Sequence, residues 1–276
     1  IRRMTILDKI VTHKKKEVAE RKKLYPVPLL EKSIYFPTPT VSLKKYLLRP
    51  DKSGIIAEFK RRSPSKGDIN AFASVESISI GYMQAGASAL SVLTDAEFFG
   101  GSNADLTEAR KYNFCPILRK DFVIDEYQLI EAKSIGADVI LLIAECLEKK
   151  EVESLAKKAK ALGLEVLLEI HAEEQLDKLN DCIDVVGVNN RNLKDFSVSI
   201  ETSLDLFPKI PDNFLRISES GISDANVIAE LKQVGFQGFL IGEYFMKAAN
   251  PAKACRDLIK RVESIENLLK GAIAKV

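Results

Sequence analysis

The stretch IIAEFKRRSPSKG, Ile55 to Gly67, reads as a buried strand that ends in charge. Ile55 and Ile56 open it with no polar break, as a strand covered on both faces requires. Glu58 and Lys60 lie two positions apart, so they leave the strand on one face, a carboxylate beside an ammonium. Behind them Arg61, Arg62, Ser63, Pro64, Ser65, Lys66 and Gly67 form a basic turn with hydroxyl and backbone donors suited to an anion. Alone, such a segment is equally a strand end with a solvated loop. Its weight comes from recurrence further along the chain.

Strand-like runs begin near Ile55, Ser88 (SALSVLT), Cys115 (CPILRKD), Asp138 (DVILLI), Glu165 (EVLLEI), Val185 (VVGVNN), Leu215 (LRISES) and Gly238 (GFLIGE). Helical patterns separate most of them, at Val75 to Ala85, Asp105 to Tyr112, Glu126 to Ile135, Lys149 to Leu162, Glu173 to Leu179 and Ala225 to Val234; the stretch between the sixth and seventh strands is less regular. Several helices run into Gly86, Gly136, Gly163 or Gly235, a common C-terminal stop. Strands alternating with helices pair in parallel through right-handed crossovers, and eight of them predict a closed (β/α)8 TIM barrel of the α/β class. An open doubly wound sheet is the alternative, but no GxGxxG follows the first strand. A last helix from Pro251 to about Leu269 would complete the outer ring.

Ahead of the first strand, Thr5 to Leu24 reads as a helix with Ile6, Leu7, Ile10, Val11 and Val18 along one side. Its charge runs, His13 to Glu17 and Arg21 to Lys23, read as a solvated face. Pro26 and Pro28 end it, a loop with Pro37 and Pro39 follows, and Ser42 to Leu48 forms a short helix. Residues 1–49 are therefore expected as an N-terminal helical extension covering one end of the barrel, and 1–276 as a single barrel domain without an internal linker. The chain starts at Ile1 rather than methionine, so a trimmed product or a piece of a longer one is expected.

Composition narrows the class. Hydrophobic residues make up 46% of 276, with no tryptophan, as in an ordinary globular protein with a sizeable core. Lys and Arg (41) nearly balance Asp and Glu (39), which argues against a nucleic-acid surface. No apolar run approaches the roughly 18 residues of a membrane span. Cys115, Cys146, Cys182 and Cys255 show no CxxC spacing and no secretory leader precedes them, so they read as reduced thiols in a cytoplasmic protein.

Active sites of such barrels lie at the C-terminal ends of the strands. Here the first strand ends in Glu58 and Lys60, the third in Arg119, Lys120 and Asp121, the fifth in Glu169 and His171, the sixth in Asn189, Asn190 and Arg191, and the seventh in Glu219 and Ser220. Apolar strands that repeatedly end in charge are hard to explain by packing, because an unpaired buried charge is costly. Ser220-Gly221 and Gly242-Glu243, after the last two strands, suit close backbone approach to phosphate, with Ser63 and Pro64 next around the ring. The Glu243 carboxylate would repel phosphate unless it turned outward. Phe99 in EFFGG and Phe122 after the third strand are either packing or the wall of an aromatic pocket. His13 and His171 lack partners at metal-ligand spacing; His171 reads as a helix-capping or surface residue.

AEFKRRSPSKG, SVLTDAEFFGGS, LRKDF, LLEIH, GVNNRNL, SESGI and FLIGE, in this order, resemble indole-3-glycerol-phosphate synthase of tryptophan biosynthesis from the N-terminal extension to the last helix. Glu126 departs from the proline expected in many relatives, at a helix start away from the chemistry. The resemblance implies that 1-(2-carboxyphenylamino)-1-deoxyribulose 5-phosphate is closed to an indole with loss of carbon dioxide and water. It implies Lys120 as general acid on the carbonyl and Glu169 as acid and base in dehydration. Glu58 and Lys60 would act around the ring-closing atoms, and Asn189, Glu219 and Ser220 would complete the site. Ser63, Ser220, Gly221, Gly242 and Glu243 would hold phosphate, with Arg191 in support. No metal or organic cofactor is implied, since rearomatisation drives the decarboxylation; the partner is a small phosphorylated aromatic amine, and a monomer is the assumed assembly. The rivals are a phosphosugar aldolase with a Schiff base at Lys120 or Lys60, and a barrel that binds a phosphorylated ligand without catalysis.

Overall fold

The computed structural model describes residues 5–273; Ile1 to Met4, the tip of the expected extension, lie outside the described residues. The extension carries α1 (Ile6–Leu24), α2 (Val27–Leu30) and α3 (Leu43–Leu47). Then come β1 (Ile55–Phe59), the small antiparallel pair β2 (Arg62–Ser63) and β3 (Gly67–Asp68), α4 (Val75–Ala85), β4 (Ala89–Leu93), α5 (Asn103–Tyr112), β5 (Ile117–Lys120), α6 (Glu126–Ile135), β6 (Val139–Ile143), α7 (Lys149–Ala161) and β7 (Glu165–Ile170). A 3-10 turn (Glu173–Lys178) leads to β8 (Val185–Asn189), α8 (Glu201–Leu206), β9 (Leu215–Glu219), α9 (Ala225–Val234), β10 (Gly238–Ile241), α10 (Glu243–Met246) and α11 (Pro251–Ile273). Eight parallel strands close in the order β1-β10-β9-β8-β7-β6-β5-β4, the expected barrel.

Alternation along each strand sorts two cores. Ile56, Ala89, Leu118, Val139, Leu141, Leu167, Val185, Leu215, Ile217 and Leu240 fill the barrel. Ile55, Ala57, Phe59, Leu90, Ile117, Val166, Val186 and Phe239 face the helix layer. Extending that period of two carries Glu58, Lys60, Lys120, Glu169, Asn189 and Glu219 inward above the barrel core. It sends Arg119 and Asn190 outward, so these two do not join the mouth as the sequence reading supposed. Arg119 instead ion-pairs with Glu131 (2.6 Å) and donates to the Gln128 carbonyl, while Asn190 bonds Ser218 and Ser203.

The extension covers both ends of the barrel rather than one. Leu43 and Leu47 of α3 join the interior core from below, where the Val41 N–H donates to Asp138 and the Lys44 N–H to Glu165, both at strand starts. Helix α1 lies at the opposite, C-terminal end: Ile6, Leu7 and Ile10 line the mouth. Thr5 starts it with a capping box shared with Asp8. Its charge run is not wholly solvated. Lys14 is fully buried and its ammonium meets Asp95 (2.8 Å), Asp121 (2.9 Å) and Glu17 (2.8 Å), which fastens α1 to the ends of β4 and β5. Burial alone would push the Lys14 pKa down; Asp121, Asp95 and Glu17 outweigh it and hold the pKa above the ordinary value. Arg21, about two turns further on, reaches Glu131 and through it Arg119.

Candidate active site

One cavity at the C-terminal end of the barrel is lined by Glu58, Lys60, Ser63, Pro64, Phe99, Lys120, Phe122, Glu169, Asn189, Arg191, Glu219, Ser220 and Glu243. A second hollow opens beside it, sharing Lys60, Arg191, Ser220 and Glu243 and adding Lys66, Gly221, Gly242 and Lys247. Every residue to which the resemblance assigns chemistry or phosphate therefore lines one of two adjoining spaces. The first is half apolar: Ile6, Leu7, Ile10, Leu93, Leu141, Ile143 and Phe196 join Phe99 and Phe122, whose rings lie 6.0 Å apart. The second is rimmed by cations.

At the floor, Lys120 Nζ bridges two carboxylates, Glu219 Oε2 at 2.8 Å and Glu169 Oε2 at 3.2 Å. Burial would push the Lys120 pKa down, but Glu219, Glu169 and Glu58 raise it well above the ordinary value, so the ammonium stays charged. The carboxylates divide. Burial pushes both up; Lys120 and His171 overrule it at Glu169, which ends below the ordinary range. Glu219 ends above it, because burial, with the Glu169 charge added to it, outweighs the pull of Lys120. Lys120 is nearer Glu219, yet the split has a geometric cause: Glu169 Oε1 accepts from Asn189 (3.0 Å), whereas Glu219 Oε1 has no hydrogen-bond partner. Of the two, Glu219 is therefore the more readily protonated. Glu58 pairs with Lys60 (3.0 Å) and accepts from Ser91 (3.1 Å); burial raises its pKa, and Lys60 and Lys120 bring it below the ordinary value.

Two glycines make room for these carboxylates. A Cβ on Gly187 of β8 would stand 2.0 Å from Glu219 Oε1, and one on Gly242 would stand 2.6 Å from Glu58 Oε1. Gly242, expected to admit a ligand to the main chain, is thus also required by Glu58. Glu243 does not turn outward. Its carboxylate stays in the second hollow, where it meets Lys247 (2.5 Å), Arg191 (3.3 Å) and Lys66 (3.9 Å) and keeps three cations together. Ser220 adopts a left-handed backbone (φ 69°), uncommon for serine and the kind of strain that collects at binding sites.

His171 is not a surface residue. Its side chain is 11% exposed and its Nε2 stands 3.4 Å from Glu169 Oε1. Lys66, Lys247, Phe196 and the α1 residues Ile6, Leu7 and Ile10 are further lining residues that the strand-end reading did not assign, because they come from loops and from the extension. Among the described residues no group of three or more His, Cys, Asp and Glu side chains is arranged to hold a metal ion.

A closed parallel barrel whose strand ends converge on a charged lysine between two carboxylates, beside a cationic hollow, defines an acid–base enzyme of the (β/α)8 class. Residues 7–258 match the family described as Indole-3-glycerol phosphate synthase. The chain is 48% identical to the indole-3-glycerol phosphate synthase of Bacteroides thetaiotaomicron over 258 residues, covering 94% of this chain and 99% of the relative. It is 42% identical to that of Campylobacter jejuni subsp. doylei over 259 residues, covering 92% and 100%. This chain belongs to the indole-3-glycerol phosphate synthase family. Among solved structures it resembles 3-hexulose-6-phosphate synthase from Salmonella typhimurium (TM-score 0.60, 13% identity, covering 76% of this chain and 99% of that one). It also resembles thiamine phosphate pyrophosphorylase from Pyrococcus furiosus (TM-score 0.58, 17% identity, covering 81% and 99%). At these identities the likeness is one of fold alone.

Proposed function

We propose that this cavity carries out the family's reaction, closing 1-(2-carboxyphenylamino)-1-deoxyribulose 5-phosphate to indole-3-glycerol phosphate with loss of carbon dioxide and water. The observation that carries the reading is the Lys120 ammonium held between Glu169 and Glu219 at the floor of a cavity with an aromatic half and a cationic half. The carboxyphenyl ring lies against Phe99 and Phe122, and Lys60 attends its carboxylate. The phosphate enters the second hollow, where Lys66, Arg191 and Lys247 exchange Glu243 for it and the main chain at Ser220-Gly221 and Gly242 approaches closely, with Ser63 and Pro64 at the edge.

Each step then has a group in place. As the ring carbon attacks the carbonyl, its oxygen gains negative charge, and Lys120 stabilises that charge and gives it a proton. Loss of carbon dioxide restores the aromatic electrons. The hydroxyl departs as water with a second proton, and one proton leaves the adjacent methylene. Glu169, steadied by Asn189, acts in this dehydration, with Glu219 the more readily protonated member of the pair and Glu58 setting Lys60. A Schiff base at Lys120 would need a neutral amine, which two contacting carboxylates oppose.

The chain serves this reaction as one barrel domain, with residues 1–49 as an extension that helps capture substrate. We place it in the cytoplasm, which four unpaired cysteines support; no helix among the described residues is long and apolar enough to cross a membrane. Glu169→Gln keeps the side-chain shape and removes the proton transfer, so turnover is expected to fall about 10²- to 10⁴-fold while affinity for a product analogue is retained. Steady-state kinetics alongside calorimetric binding checks this. Unchanged turnover would reduce Glu169 to a structural partner of Lys120.

A further inference from the structure

The proton balance of the proposed reaction leaves a requirement. Two protons enter, one on the carbonyl oxygen and one on the departing hydroxyl, and a single proton is returned from the methylene. Because the carboxylate leaves as carbon dioxide, each turnover consumes one proton from solvent. The cavity receives its substrate beneath α1, so with the mouth filled the acid–base groups need another connection to water.

His171 stands where such a connection would run. Glu169 lines the substrate cavity, and His171 lines a separate hollow of about 300 Å³ with Glu145, Arg191 and Lys194. That volume holds several waters. Nε2 is 3.4 Å from Glu169 Oε1, the oxygen turned away from the Lys120 contact, and neither ring nitrogen has a hydrogen-bond partner. A buried imidazole set against one carboxylate, with Nδ1 bonded to no group of the protein, calls for a reason. The backbone that carries the ring is held: the His171 main-chain N–H donates to Gln175 Oε1 (2.7 Å), and the same Gln175 amide reaches Glu145.

We propose that His171 is a positioning residue that resupplies Glu169 with protons. Nε2 passes its proton to Glu169 Oε1 while Nδ1 takes one that solvent supplies through the second hollow, and proton exchange with that water returns the ring to its starting tautomer, so each cycle moves one solvent proton to Glu169. The inference rests on the assignment of Glu169 above.

The test compares full-length wild type with His171→Asn and His171→Gln, each with and without added imidazole, following kcat, KM and the solvent deuterium isotope effect. Both amides preserve polarity and abolish relay. The expected result is a kcat lowered at least tenfold with KM unchanged, a larger isotope effect on kcat, and saturable recovery by imidazole. A kcat equal to wild type in either variant, or a loss that imidazole does not repair, would overturn the relay. Failure of the underlying reading shows separately, as turnover retained in Glu169→Gln whatever His171 does.

Discussion

Lys120→Met is expected to lower indole formation by about 10³- to 10⁴-fold, combining loss of a general acid with loss of a cation at the developing oxyanion. Methionine keeps the length of the side chain, so the cavity changes little in shape. What remains are two buried carboxylates without their common counter-ion, Glu169 at 4% and Glu219 at 1% side-chain exposure. They can no longer both stay ionised, so the variant loses the acid and the acid–base split together. The phosphate hollow lies apart and its cations are untouched, so a phosphorylated product analogue is expected to bind within about tenfold of wild type, roughly 1.4 kcal/mol. Fluorescence of the indole product gives kcat, and calorimetry gives the affinity. A variant that kept kcat within about tenfold would remove Lys120 from the centre of the mechanism.

The second large effect concerns the extension. Lys14→Met is expected to cost about 3–5 kcal/mol of stability, the range for removing one partner of a buried ion pair. Asp95 and Asp121 are essentially inaccessible to water, and each counts the Lys14 ammonium at 2.8–2.9 Å among its contacts. A surface lysine in the same helix, such as Lys15 or Lys16, is expected to change stability by less than about 1 kcal/mol when replaced. Denaturant unfolding monitored by circular dichroism separates the two. Because α1 also brings Ile6, Leu7 and Ile10 to the cavity, the same variant is expected to raise KM. An unfolding midpoint equal to that of a Lys15 variant would mean that the ion-pair cluster adds nothing to docking.

Much of this was legible in the chain because strand alternation carries its own geometry. Ile56, Glu58 and Lys60 share a face, as do Leu118 and Lys120, and Leu167, Glu169 and His171, so parity alone places the chemistry above the barrel core. Reading Arg119 and Asn190 as part of the mouth ignored that parity; both point into the helix layer. The same rule applied to LLEIH would have put His171 on the Glu169 face. Lys14 also left a signal, since Ile10, Lys14 and Val18 are spaced by four and fall on one helix face. Its partners Asp95 and Asp121 lie far away in sequence, and nothing local tells which end of the barrel α1 will cover. Gly187 inside an apolar strand was a mark of close approach. That the approaching group is the Glu219 carboxylate depends on how β8 and β9 register, Asn189 beside Glu219.

The most direct test of the mechanism is to run turnover of the carboxyphenylamino-deoxyribulose phosphate with borohydride present, quantifying carbon dioxide and indole product and then examining Lys120 by peptide mass spectrometry. A charged Lys120 acting as a general acid predicts equal amounts of carbon dioxide and indole-3-glycerol phosphate and an unmodified lysine. A reduced substrate adduct on Lys120, or carbon dioxide released without indole, would contradict it.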